Sequence, residues 1–254
     1  MKRRLVKFLI PFLLFHPASL FAQQQKITVA VAANMQYAFN ELKAEFEKKY
    51  QVNVNGVIGA SGNLTRQIMQ GAPFDVFISA DTKYPESIYS KGFAAEKPKV
   101  YARGALVLWT TKKELPLNGH LRFLLSDDIK SIAIANPKIA PYGTAAEILL
   151  KKVGLFDMLK SKLVYGESIS QTTQFIGTGN ADIGFTAKAV VLSNQMKNKG
   201  RWIELNSKNY PPIFQSAVLL RYGAKNNSVN AKKFYQFLFS ENAKDIYKKY
   251  GYIN

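Results

Sequence analysis

The sequence predicts an α/β protein of two lobes, and three observations support this fold class. Apolar strands and amphipathic helices alternate through residues 26–92, a rhythm typical of an open sheet with helices packed on its faces. A second alternating series starts near Ala105. Neither a repeat nor a low-complexity linker separates the two series, so strands that cross between the lobes are expected to connect them.

The first lobe follows from a regular succession of strand and helix signals. Residues 26–31 alternate apolar and polar positions, and the helix after them repeats its apolar residues every three or four positions. A second strand ends at Gly59, a short helix is closed by Gly71, and 74–79 form a third strand apolar enough for the inside of a parallel sheet. Open α/β sheets bind ligands beyond the carboxyl ends of their strands, so the functional site is expected there.

The second lobe is predicted from shorter elements. Its expected strands lie at 105–109, 132–135, 163–165 and 183–185. The tail from Ala231 to Tyr250 is predicted to form one long amphipathic helix. Candidate crossovers between the lobes are 100–106 and 214–218.

Four short polar junctions stand where a strand or loop is expected to give way to a helix. They are Ala32–Asn34, Gly59–Gly62, Pro141–Thr144 and Ser168–Ser170. None of them contains Asp, Glu, Lys, Arg or His, although Glu167 adjoins the last. A helix start presents unpaired N–H groups and a partial positive charge of about +0.5. Several such starts at one point bind an anion without Lys or Arg, so the pattern favours reversible binding over chemistry.

Residues 1–22 are typical of a secretory signal peptide. Four cations fall within residues 2–7, an apolar run follows from 9 to 15, and Ala22 is a suitable last residue before cleavage. The apolar run is short for a membrane-spanning helix, which needs about 20 residues. The chain has no cysteine, which excludes a disulfide framework and a thiolate metal site.

The chain is strongly basic. Its net charge is +18, and it is +14 without the signal peptide, where 31 Lys and Arg face 17 Asp and Glu. The cations are scattered as pairs, most of them at predicted helix ends, where they suit the helix dipole. No Arg-rich cluster or base-stacking motif accompanies them, so we interpret the charge as a solvated surface rather than a nucleic-acid site. Such a surface also raises the encounter rate with small anions.

Six segments spread over nearly all of the mature chain carry a family resemblance. They are Val29–Asn34, Gly59–Leu64, Gly71–Asp81, Ala133–Gly143, Gly179–Phe185 and Tyr250–Tyr252. In combination they resemble the periplasmic molybdate-binding proteins of ABC importers, which are type II substrate-binding proteins. The resemblance implies a periplasmic-binding-protein fold with a mixed sheet in each lobe and the ligand cleft between the lobes. It places lobe I at 23–103 and 217–254, and lobe II at 104–216.

In that family a tetrahedral oxyanion is held between the lobes by backbone N–H groups and small hydroxyls. Carried over to this sequence, the ligand-binding residues are Ala33, Asn34 and Ser61 in lobe I and Tyr142 and Ile169 in lobe II. Asn34 is expected to offer its side-chain amide and its backbone, Ser61 its hydroxyl and N–H, and the lobe II residues their N–H. One position departs from the family, because Ala187 stands where some members place a tyrosine hydroxyl on the ligand.

The resemblance also implies an exported, monomeric protein that captures molybdate or tungstate in the periplasm and delivers it to the membrane permease of an ABC importer. The oxyanion would be the ligand, without a cofactor, a metal-ion site or a nucleic-acid partner. Which of the two oxyanions is preferred stays open. An enzyme is not expected, because His120 is the one histidine outside the signal peptide and the chain has neither a Gly-x-Ser-x-Gly elbow nor a cysteine nucleophile.

A rival function in the same fold class is the binding of ferric ion. Such a protein could use Tyr101, Tyr142 and Tyr165 as phenolate ligands. No carboxylate cluster accompanies these tyrosines in the sequence, and Tyr142 lies in a junction of the anion-binding type.

Plain structural roles are the other alternative for the singled-out residues. Asn34 and Ser61 could be helix caps only. Three aspartates, Asp75, Asp81 and Asp182, are interpreted as structural, because a carboxylate beside an oxyanion would repel it.

Overall fold

The computed structural model describes residues 26–253. The strands of this range are β1 Lys26–Ala32, β2 Asn53–Gly59, β3 Val76–Ser79, β4 Lys99–Gly104, β5 Leu106–Thr110, β6 Ile132–Ala135, β7 Leu163–Gly166, β8 Ile183–Ala187, β9 Arg201–Glu204 and β10 Ile213–Leu219. The α-helices of the same range are α1 Gln36–Tyr50, α2 Ser61–Met69, α3 Lys83–Ser90, α4 Pro141–Lys152, α5 Phe156–Leu159, α6 Ile169–Gly177, α7 Lys188–Val191, α8 Arg221–Asn226, α9 Ser228–Phe237 and α10 Glu241–Lys249. One turn of 3₁₀ helix, Ala33–Met35, lies between β1 and α1.

The strands form two five-stranded sheets of the same design. In the first sheet the order is β2-β1-β3-β10-β4, and in the second it is β7-β6-β8-β5-β9. Three neighbouring strands of each sheet run parallel, while β10 and β5 run antiparallel to their neighbours. The predicted α/β fold with a mixed sheet in each lobe is therefore confirmed.

The chain passes between the two sheets twice. On the first passage a single residue, Ala105, separates β4 from β5. On the return, 205–212 lead from β9 to β10, and Pro211 and Pro212 end this passage. All of β10 pairs within the first sheet, so the second crossover lies earlier than the predicted 214–218. The division of the chain into lobe I at 23–103 and 217–254 and lobe II at 104–216 stays a prediction.

Helices cover both sheets and create the cores. On one face of the first sheet, Phe39 and Phe46 of α1 meet Phe234 of α9 edge-on, with ring centroids 6.3 and 5.0 Å apart. All three rings are almost wholly buried, and burying a side chain of this kind contributes about 1.5–3 kcal/mol. Since α2, α4 and α6 begin where β2, β6 and β7 end, their N-termini lie on the carboxyl side of the sheets.

The C-terminal tail differs from its prediction. Instead of one helix from Ala231 to Tyr250, the chain forms α9 and α10 with a break between them. Ser240 begins α10 by accepting a hydrogen bond from the N–H of Ala243 at 3.3 Å, and the Tyr247 hydroxyl donates to the Leu238 carbonyl at 2.9 Å. The apolar spacing continues across the break, and the Ser240 cap stabilises a new helix start there by about 0.5–2 kcal/mol.

The last described residues return to the first sheet. Arg103 and Ile253 exchange two backbone hydrogen bonds of 2.6 and 2.9 Å. This bridge fixes Tyr252 beside the crossover between the sheets, with only 4% of its surface exposed.

The predicted signal peptide lies outside the described residues. Among residues 26–253, none of the helices combines the length and the apolar character that crossing a membrane requires.

Two of the three singled-out aspartates lie at the amino ends of interior strands, opposite the ends from which α2, α4 and α6 begin. Asp75 precedes β3 and accepts hydrogen bonds from the Thr28 N–H at 2.6 Å and the Asn227 side chain at 2.8 Å. Asp182 precedes β8 and accepts from two backbone N–H groups at 2.7 and 2.9 Å while pairing with Lys112 at 2.5 Å. Partial burial raises the pKa of the Asp182 carboxyl, but these donors outweigh it and hold the pKa below 3.8.

Replacing Asp182 by asparagine should lower the free energy of unfolding by about 1–3 kcal/mol at neutral pH, because a charged acceptor is removed from several donors. Since the pKa is lowered in the folded state, this stabilisation is complete above 3.8 and is lost as the pH falls through the folded value. Urea unfolding of both proteins between about pH 7 and pH 3 measures it, with Asp127→Asn at an exposed position as control. A stability difference that stays constant down to the lowest pH would contradict the assignment.

Candidate functional site

A small cavity lies between the carboxyl ends of the two sheets. Its volume is about 10 Å³. Its lining consists of Ala32, Ala33, Asn34, Gly59, Ala60, Ser61, Ala80, Ala140, Pro141, Tyr142 and Ile169. The structure thus brings together all five residues singled out from the sequence, three from the first sheet's side and two from the second's.

The helix starts around this cavity are mostly uncapped. The N-cap residues of the 3₁₀ turn, of α2 and of α4 are Ala32, Ala60 and Ala140, none of which has a side-chain acceptor. Alanine at an N-cap is less stable than Ser, Thr, Asp or Asn by about 0.5–2 kcal/mol. Only α6 is capped, where the Ser168 hydroxyl accepts from the Gln171 N–H at 3.3 Å. The first N–H groups of these helices have no intrahelical acceptor, and apart from those of Gly62 and Gln171, which already have acceptors, they are available to a ligand.

Ser61 is the first residue of α2 and is not its cap, so the interpretation as a cap only is wrong. Its side chain is 1% exposed, and its Oγ accepts a hydrogen bond from the Ala80 N–H at 3.1 Å. Because a serine hydroxyl both accepts and donates, its own hydrogen remains available for a ligand. The hydroxyl is thus positioned by the protein before a ligand arrives.

The side-chain amide of Asn34 is already committed within the protein. Its Nδ2 donates to Gln215 Oε1 at 2.7 Å and to the Tyr252 hydroxyl at 3.0 Å. An amide has two donor hydrogens, so the expectation that this amide donates to a ligand is wrong. Asn34 also lies inside the 3₁₀ turn rather than at its cap. What Asn34 offers the cavity is its backbone N–H.

Tyr142 is the second residue of α4 and follows Pro141, which lacks an N–H and suits the first helical position. Its ring is 1% exposed and lies so close to the crossover that a Cβ atom at Gly104 would overlap the hydroxyl. Among the described residues no group meets the geometry of a hydrogen bond to the hydroxyl. Burial raises its pKa well above the usual value, although the nearby Asn34 side chain acts to lower it. The side chain therefore stays neutral. The backbone N–H, in the first turn of α4, is the group left to donate to a ligand.

The tyrosines of the ferric-ion alternative do not form a site. Neither Tyr101 nor Tyr165 lines the cavity. Tyr101 is buried in the core of the first sheet, where burial raises its pKa well above the usual value and opposes a phenolate, and Tyr165 is 44% exposed on β7. Among the described residues no group of three His, Cys, Asp or Glu could hold a metal ion. The ferric alternative is not favoured.

Ala187 does not contribute to the cavity. It ends β8, is wholly buried, and is absent from the lining. On this side the wall is formed instead by the starts of α4 and α6, through Tyr142 and Ile169.

Among the described residues, the lining contains no Asp, Glu, Lys, Arg or His. The nearest acid in the chain, Asp81, follows Ala80 and accepts hydrogen bonds from the Tyr84 N–H at 3.2 Å and the Ser79 hydroxyl at 3.1 Å. Its carboxylate is therefore held by α3 and β3. A site of neutral donors with no neighbouring base suits reversible binding of an anion.

The two sides of the cavity are in direct contact. The Gly62 N–H donates to the Ile139 carbonyl at 2.9 Å, and the Tyr84 hydroxyl donates to the Lys138 carbonyl at 3.2 Å.

Sequence reasoning missed these contacts, and it also missed Gln215. The polar pair Gln215 and Ser216 in the mostly apolar strand β10 was the available signal, because a buried polar side chain needs partners.

Comparisons with known proteins agree with this geometry. A family model of bacterial extracellular solute-binding proteins matches residues 27–253. The molybdate-binding protein ModA of Rhodobacter capsulatus is 39% identical over 90% of this chain and 88% of its own length.

Two solved structures are similar along almost the whole described range. The periplasmic molybdate-binding protein of Azotobacter vinelandii superposes with a TM-score of 0.84 at 34% identity, covering 90% of this chain and 99% of that chain. The substrate-binding domain of a putative molybdenum ABC transporter from Clostridium difficile superposes with a TM-score of 0.66 at 28% identity, covering 90% and 98%.

Proposed function

The chain belongs to the bacterial extracellular solute-binding proteins, and we propose that within this family it captures molybdate between its two lobes for an ABC importer. The resemblance drawn from the sequence segments is confirmed by relatives that match 90% of this chain. Molybdate is the transported ligand of this proposal and not a cofactor.

One observation carries the proposal: helix starts from both sheets meet at one cavity that has no charged side chain in its described lining. Each start contributes a partial charge of about +0.5, and each hydrogen bond to a charged acceptor contributes about 1.5–3 kcal/mol. A small dianion is therefore stabilised without a countercharge. Donors fixed in helices keep their separations, so they also select an anion by size.

The proposed ligand shell consists of Ala33, Asn34, Ser61, Tyr142 and Ile169. Backbone N–H groups come from all five, and Ser61 adds the one side-chain donor. The support for these roles is their common position at the cavity and the uncapped helix starts on which most of them lie.

Further parts of the proposal follow from this ligand shell. Tungstate also binds in it, because it is a tetrahedral dianion of nearly the same size. The protein is exported to the periplasm, acts as a monomer and hands its ligand to a membrane permease. It catalyses no reaction, a view supported by the absence of a base or nucleophile pair from the described lining.

Calorimetric titration of the protein without residues 1–22 tests the function. Molybdate and tungstate should each bind one to one. Sulfate should bind roughly 10- to 150-fold more weakly, because a smaller ion leaves at least one fixed donor unmatched, a loss of about 1.5–3 kcal/mol. Ferric citrate and an oligonucleotide serve as controls for the rival functions and should give no binding heat at the cavity. Equal affinities for sulfate and molybdate would reject selection by size.

A further inference from the structure

Buried polar groups form a continuous hydrogen-bonded chain between the two helix starts of the first sheet. In order, its members are Tyr252, Asn34, Gln215, Ala80 and Ser61. Each of them is at most 4% exposed. Only Asn34, Ala80 and Ser61 line the cavity, so Gln215 and Tyr252 belong to the chain without reaching the ligand position.

Tyr252 holds Asn34 at two points. Its hydroxyl accepts from Asn34 Nδ2 at 3.0 Å and donates to the Asn34 carbonyl at 3.2 Å. Burial raises the pKa of the Tyr252 hydroxyl, which keeps the donated hydrogen in place. The Tyr252 hydroxyl thereby fixes both the side chain and the main chain of Asn34.

Gln215 joins the two helix starts. Its Nε2 donates to the carbonyls of Ala80 at 3.3 Å and Ile213 at 3.0 Å. These two acceptors fix which end of the amide carries the nitrogen, so Oε1 must accept from Asn34, as it does at 2.7 Å. The N–H of the same Ala80 donates to Ser61 Oγ at 3.1 Å, which completes the connection.

Such outside support is needed at this point of the fold. The turn that carries Asn34 spans three residues and has Ala32 as N-cap without a side-chain hydrogen bond. The turn runs directly into α1, so it forms the uncapped end of a longer helix, and helix ends fray. The direction of the Asn34 N–H therefore depends on what holds the residue from behind.

We propose that Gln215 and Tyr252 are positioning residues that fix the separation between the Asn34 N–H and the Ser61 hydroxyl, and thereby the size of oxyanion that the site accepts. This inference rests on the proposed function. Neither residue touches the ligand, and both act through Asn34 and Ala80.

The test is the Tyr252→Phe variant of the chain without residues 1–22, titrated with molybdate and with sulfate. Molybdate affinity should fall about five- to tenfold, the equivalent of one buried hydrogen bond. Sulfate affinity should fall less, so that the preference for molybdate narrows. In an Asn34→Ala background the same substitution should lower affinity less, because only the hydrogen bond to the backbone carbonyl of residue 34 is then left to lose.

Tyr247→Phe is the matched control. Tyr247 is also buried, and its hydroxyl donates to the Leu238 carbonyl at 2.9 Å. Its ring packs against that of Tyr252, with 6.2 Å between the ring centroids. It should lower the melting temperature and leave affinity and ion preference unchanged. If Tyr252→Phe behaves like this control, or weakens binding equally in the Asn34→Ala background, Tyr252 is structural only and the inference is overturned. A wild-type protein that ignores molybdate would instead overturn the proposed function, and the inference with it.

Discussion

Replacing Ser61 by alanine should weaken molybdate binding by roughly 10- to 150-fold, because a hydrogen bond to a charged group contributes about 1.5–3 kcal/mol. Ser61 is the one side-chain donor of the proposed shell, and its Oγ is already oriented by the Ala80 N–H. The same substitution leaves that buried N–H without its acceptor. The ligand-free protein should therefore also lose about 1–3 kcal/mol of stability.

Two losses from one substitution require a control that separates them. Thr65→Val removes another buried hydroxyl of α2, which donates to the Ser61 carbonyl at 2.8 Å and does not line the cavity. It should lower the melting temperature while molybdate affinity stays within about threefold, a difference of well under 1.4 kcal/mol. A Ser61→Ala variant with a lowered melting temperature and unchanged affinity would mean that the hydroxyl only anchors Ala80.

The fold could be predicted where local patterns decide it. Alternating apolar positions gave β1, and the helix starts after β1, β2 and β6 carry the polar junctions that marked them. The break between α9 and α10 was missed because the apolar spacing continues through it, although Ser240 is a good cap. Strand β10 was placed only in part, since its pairing partners β3 and β4 lie more than a hundred residues earlier.

The candidate site could be predicted as far as it depends on backbone donors. A helix start is readable from a junction, and all five residues chosen on that basis and from the family resemblance line the cavity. The direction of a side chain, in contrast, depends on partners that lie far away in the sequence. Asn34 turns its amide away from the cavity toward Gln215 and Tyr252, which are 181 and 218 residues distant along the chain. Only the folded structure shows that these partners exist.

Replacing Gly62 by alanine should impair the closing of the two lobes without harming the fold. Gly62 lies in the first turn of α2, and its N–H reaches across to the Ile139 carbonyl at 2.9 Å. A Cβ atom here would come within 2.7 Å of the Tyr84 hydroxyl and 3.0 Å of the Ile139 Cα. The tyrosine can swing aside, but Ile139 belongs to the backbone that leads into α4, so the start of that helix must move.

The steric cost of Gly62→Ala destabilises only the closed form of the protein. Overpacking costs about 1–3 kcal/mol, and if the lobes open by a hinge when the ligand leaves, only the closed form suffers. Molybdate affinity should therefore fall by roughly 5- to 150-fold. In the ligand-free protein the melting temperature should hold or rise, because alanine is the better helix former by up to about 1 kcal/mol. A fall in affinity would then come with no fall in stability.

Titration of Gly62→Ala measures the loss of molybdate affinity, thermal unfolding measures its stability, and solution scattering measures the closing of the lobes. Wild-type protein should become more compact when molybdate is added, and Gly62→Ala should need more ligand to reach the same curve. Gly119→Ala is the control, because a Cβ atom there meets nothing within 4 Å. Unchanged affinity in Gly62→Ala, or wild-type scattering that is identical with and without molybdate, would show that the contact between Gly62 and Ile139 is present in the free protein as well. The lobes would then form a rigid pair, and the ligand would have to enter without a hinge.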